Sequence, residues 1–146
     1  FVGLQHTAPK QPIAFNHAKH VSNGVACADC HAGVQTQAKA TLPSVDVCIS
    51  CHQVALTNSA EEERVRTVAA AGQELNWVQL TRTAPHVFFS HRRHVAVAHL
   101  PCAECHGFME QATKPPDRAF RVFTMAACIG CHQQHRVNAD CNDCHR

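Results

Sequence analysis

Apolar positions along this chain never form the long periodic stretches from which a conventional core is built. Residues 1–13 hold Pro9 and Pro12 with little periodicity and read as an extended arm. His17 and His20, three apart behind Phe15, read as a short helix with both rings near one face. A longer helix is predicted from Glu61 to Ala71: three acidic residues suit the positive end of the helix dipole, and Gly72 supplies the stop. Its acidic run reads as a solvated face. Leu75–Thr81 then alternates apolar and polar positions, as a short strand or extended strap does. No apolar run approaches the about 20 residues that cross a bilayer.

The stronger regularity lies in two other residue types. The chain has 146 residues, with 10 cysteines and 13 histidines and no tyrosine. Every cysteine falls in a Cys-x-x-Cys-His pentad: Cys27/Cys30/His31, Cys48/Cys51/His52, Cys102/Cys105/His106, Cys128/Cys131/His132 and Cys141/Cys144/His145. This pentad is the attachment signature of c-type haem, where two thiols bond the macrocycle and the histidine ligates iron. A disulfide framework has no reason to place a histidine after every second cysteine. Five half-sites do not pair evenly into tetrahedral zinc centres either. Five covalently bound haem c groups are therefore expected, with the ten cysteines as thioether anchors and His31, His52, His106, His132 and His145 as proximal ligands.

The layout repeats. Phe15-Asn-His-Ala-Lys-His20 precedes the first pentad, and Phe89-Ser-His-Arg-Arg-His94 precedes the third in the same register. Gly33 and Gly107 also match, each two residues after a pentad histidine. Residues 55–84 contain neither cysteine nor histidine, so the expected organisation is a two-haem half at 1–56, a linker of helix and strap at 57–84, and a three-haem half at 85–146. About thirty residues per haem are too few for a core of side chains alone. The expected fold is mainly α with much irregular structure, short helices and loops wrapped around the haems, and largely unfolded without them.

Eight histidines remain as candidates for the far side of the irons: His6, His17, His20, His86, His91, His94, His99 and His135. The recurrent pairs assign His17, His20, His91 and His94. For the fifth haem Met125, three residues before Cys128, ranks first, followed by His135 and then His6 on the arm; a methionine ligand would raise that haem's potential. The formal charge of +2 omits the haem propionates, with which Arg92 and Arg93 are placed to pair. Lysines and arginines are otherwise scattered, so nucleic-acid binding has no footprint.

The Phe-x-His-x-x-His then Cys-x-x-Cys-His plan resembles the class III multihaem cytochromes c of sulfate- and metal-reducing bacteria. The resemblance implies that His17 ligates the haem of Cys27/Cys30 and His91 that of Cys102/Cys105, while His20 and His94 serve neighbouring haems. Gln11–His20, the Leu42-Pro43 approach to Cys48, Asn76-Trp-Val-Gln-Leu80, Val87–His94 and Phe123–His132 are similar to the pentahaem subunit of alternative complex III, a quinol-oxidising membrane assembly. That resemblance implies electron transfer between redox proteins, in the periplasm or outside the cell, with membrane association through a partner. The tether of that subunit is not evident in this chain. Covalent haem attachment follows export, so a removed export signal is expected, none being visible in the sequence. Six-coordinate irons throughout would make an electron carrier; the alternatives are a subunit of a conductive extracellular filament and a haem reductase with one open iron.

Overall fold

The computed structural model describes residues 8–145. The chain forms short helices joined by irregular segments: α1 (His17–Ser22), α2 (Cys27–Cys30), α3 (Val45–His52), α4 (Ala60–Ala70), α5 (Cys102–His106), α6 (Met125–Gln134) and α7 (Cys141–Cys144). A π-helical segment, Arg92–Val97, and 3-10 turns at Ala32–Val34 and Met109–Gln111 complete the set. Among the described residues the only strand-like pairing is an isolated antiparallel bridge between Val87 and His145. The architecture is mainly helical with much irregular structure.

Two compact units divide the chain, interleaved in sequence. The first draws on residues up to Ala32, on Thr41–Val78 and on Phe108–Arg118. Its small core joins Ile13, Val45, Val65 and Leu75, with Phe15, Ile49 and Trp77 packed against them. Helices α3 and α4 pack together there, and α1 lies on the turn Met109–Gln111, with the Ala18 amide donating to Ala112 O at 3.0 Å. The stretch 57–84, read as a linker, divides: α4 and Leu75 belong to this unit's core, while Gln79 onward belongs to the second unit.

Residues 75–78 form a strap without regular strand pairing. Leu75 is buried and Trp77 half-buried, with Asn76 and Val78 exposed between and after them. Side chains hold the strap in place of a ladder. Trp77 Nε1 donates to Pro43 O at 3.0 Å, and Gln11 both donates to Val78 O (2.9 Å) and accepts from Val78 N (3.0 Å).

The acidic run of α4 departs from the solvated face expected of it. Glu61 Oε2 accepts from the Ala14 amide at 2.7 Å, tying the arm to the helix. Glu62 is buried, because the chain entering α4 folds over it and offers donors: Leu56 N at 2.7 Å and Thr57 N at 2.9 Å, with Arg66 at 2.8 Å from within the helix. A carboxylate over unsatisfied amides is worth more there than in water.

The second unit comprises Gly33–Ala40, Gln79–Gly107 and the chain from Ala119 on. Backbone pairing of Gly33 N with Ala40 O (3.1 Å) closes a loop, and its Gln37 and Ala38 carbonyls accept from Arg92 N (3.0 Å) and His91 N (2.9 Å). Over all described residues only five apolar side chains are buried, and none of the large ones completely.

Candidate haem sites

Each Cys-x-x-Cys lies on a helical turn: α2, the end of α3, α5, the middle of α6 and α7. Positions three apart on a helix share a face, so one turn presents both thiols to one side and the following histidine beside them. None of the ten cysteines is joined in a disulfide. Burial pushes the thiols of Cys30, Cys48, Cys105 and Cys128 up, and in each case a cysteine of a neighbouring pentad pushes the same way. Cys30 and Cys48 lie that close in the first unit, as do Cys105 with Cys131 and Cys128 with Cys144 in the second. Among the described residues no group of three or more Cys, His, Asp or Glu donors converges as a zinc centre would require.

The histidines are oriented by backbone carbonyls. His31 Nδ1 lies 2.8 Å from Thr41 O, and His132 Nδ1 lies 2.8 Å from Asn138 O. Donation by Nδ1 leaves Nε2 as the free lone pair for a metal. Thr41 reaches its position with φ at +66°, a strained conformation for a β-branched residue. His20 and His94 each place Nδ1 2.8 Å from the carbonyl four residues earlier, Asn16 O and Ser90 O.

The sequence repeat is also a structural one. Phe15 meets His17 edge-on (4.7 Å, 86°) and lies over His20 (4.4 Å, 25°). Phe89 meets His91 edge-on (4.9 Å, 88°) and lies over His94 (4.4 Å, 24°). One aromatic ring thus sets two histidines at fixed angles in both copies.

Three of those histidines face pentad histidines. Ring centres are 6.1 Å apart for His20 and His52, 6.3 Å for His91 and His106, and 6.1 Å for His94 and His132. Two imidazoles bonded at about 2 Å to opposite sides of one metal have centres roughly 6 Å apart, so these gaps are of metal size. The ring planes cross at 63°, 8° and 36°, and rotation about a shared axis leaves that angle free. His17 is half-buried; burial, then the neighbouring His31 and His20, hold its pKa below the ordinary value, which keeps it the neutral imidazole a ligand must be.

The remaining candidates are placed differently. Met125 begins α6 and is 68% exposed, and His135 caps the end of that helix in an exposed position. His6 lies outside the described residues. Arg92 and Arg93 are exposed on the π-helical segment. Two residues carry more than the sequence indicated. His86, outside any repeat, sits with its ring 5.4 Å from that of His145 at 18°. Glu62 Oε1 lies 3.1 Å from His52 Nδ1, close but not aligned as a hydrogen bond. The Thr57 hydroxyl and the Leu56 amide hold the Glu62 carboxyl far below the usual range, at about 2, so it stays ionised beside that histidine.

Large apolar side chains stand exposed, among them Leu56, Phe88, Phe108, Phe120 and Val122. Such surface suits macrocycles that bring their own apolar area. Thiols paired on a helical turn at every pentad, and a second histidine across a metal-sized gap from three of the pentad histidines, together define a multihaem c-type cytochrome. The family profile described as Cytochrome c3 matches residues 19–107, more than half of the chain, and the chain belongs to that family of electron-transfer cytochromes with covalently bound haem c. No curated protein matches the chain at a significant level.

Proposed function

We propose that the protein carries five haem c groups and passes electrons along them between redox partners, without itself transforming a substrate. The observation that carries this reading is the set of facing histidines. His20 with His52, His91 with His106 and His94 with His132 stand at metal-sized gaps, and His17 lies near His31. Such pairs would fill both axial positions and leave no coordination site for a small substrate. The haems supply the one-electron chemistry; the chain anchors them through the ten cysteines, orients their ligands and excludes competing ligands.

Neighbouring pentads support a path in chain order within each unit: the first and second attachment sites adjoin, as do the third and fourth and then the fourth and fifth. Donor and acceptor are proposed to be redox proteins of an exported compartment, a quinol-oxidising membrane assembly among them. No helix among the described residues is long and apolar enough to cross a membrane.

A pyridine haemochrome assay of the purified protein should give five c-type haems per chain. The dithionite-reduced protein should show low-spin spectra and bind no carbon monoxide at neutral pH. A different count would end the pentahaem reading, and carbon monoxide binding by the native protein would favour a reductase.

A further inference from the structure

We propose that His86 is the sixth ligand of the haem anchored by Cys141, Cys144 and His145, an assignment that rests on the pentahaem reading above. The backbone puts it there. Residues 85–86 form a turn closed by Val87 N donating to Ala84 O at 3.0 Å. Val87 then bridges to His145, and Phe88 N donates to Cys144 O at 2.8 Å. Two consecutive residues are thus pinned to the last pentad, and the side chain just before them is delivered to the ring of His145.

The ring geometry matches the other pairs in kind. His86 and His145 are near-parallel at 18°, with centres 5.4 Å apart, 0.7 Å less than the 6.1 Å of His20 with His52. The turn is exposed, so it can yield that difference by a small side-chain rotation, whereas a packed helix could not. The rivals are worse placed. Met125 lies one helical turn before Cys128 on α6, on the side of that helix that presents the thiols. His135 caps the helix that carries His132, three residues beyond it. With His86 in this role every iron has two histidines, and the difference between carrier and reductase comes down to one side chain.

The test uses the full-length holoprotein. His86→Ala should keep five haems, because attachment depends on the pentads, and its reduced form should bind about one carbon monoxide per chain where the native protein binds none. Added imidazole should suppress that binding. His86→Met keeps a ligating side chain where alanine compromises folding; it should give one haem a methionine-to-iron charge-transfer band and a raised potential. A five-haem His86→Ala protein that stays inert to carbon monoxide overturns the assignment. So does the appearance of that site in Met125→Leu or His135→Ala instead. Mass spectrometry of a peptide holding Cys141 and Cys144 without haem would overturn the pentahaem reading itself, and is distinguishable from both.

Discussion

At the scale of single residues, Glu62 has the clearest consequence. His31 and His132 rest Nδ1 on neutral carbonyls, whereas His52 has an ionised carboxylate at 3.1 Å. Negative charge beside a ligand favours the more positive, oxidised metal and so lowers its potential. Glu62→Gln should therefore raise the midpoint potential of one haem, the one on Cys48 and Cys51. If the ligand's preference between redox states changes about tenfold, the shift is about 60 mV for one electron. A spectroelectrochemical titration in which no potential moves would sink the idea. The sequence could not disclose this role, since three consecutive glutamates at a helix start are also what a solvated face looks like. The usable signal was position: Glu62 stands in the first turn of the helix that follows a pentad directly.

Helices and turns show where the repeat is faithful and where it is not. The aromatic-led histidine pairs agree in ring geometry to within 0.2 Å and 2°. Yet the first copy is an α-helix, and the second widens into a π-helical segment closed by Ala98 N donating to Arg93 O at 3.0 Å. Such segments concentrate at functional sites, and no residue type announces one in advance. The matching glycines are required for different reasons. A Cβ at Gly33 would stand 2.2 Å from Lys39 O, so close backbone approach excludes it. Gly107 has φ at +69° and ψ at −169°, a region glycine occupies almost alone, and a Cβ would also meet Phe120 at 2.7 Å. Gly33→Ala should destabilise the holoprotein by about 3 kcal/mol, the upper end of overpacking costs, because a carbonyl cannot rotate away. Gly107→Ala should cost about 1–3 kcal/mol. Thermal or denaturant unfolding measures both, and a neutral Gly33→Ala would show that the loop to Ala40 opens freely.

For the molecule as a whole, the pentads were legible because covalent attachment fixes their spacing in sequence, and the paired histidines because their motif repeats. His86 was not, because its place depends on a backbone bridge to a residue 59 positions away. The helical class was legible too, but the interleaving of the two units was not, since cysteine spacing says nothing of how Gly33–Ala40 is recruited. With five buried apolar side chains among the described residues, the polypeptide alone has little to set against its chain entropy. Chain produced without haem attachment should be largely unstructured by far-ultraviolet circular dichroism. A cooperative melt of that material would refute a haem-dependent core.

The order of the proposed partners along the chain bears on how the molecule is made. His20, His91, His94 and His86 each precede the pentad they face, so a polypeptide delivered amino end first presents the second ligand before the thiols of the same site. A newly joined haem then finds its cap already waiting, and no ferrous centre need stand uncapped before oxygen while later sites mature.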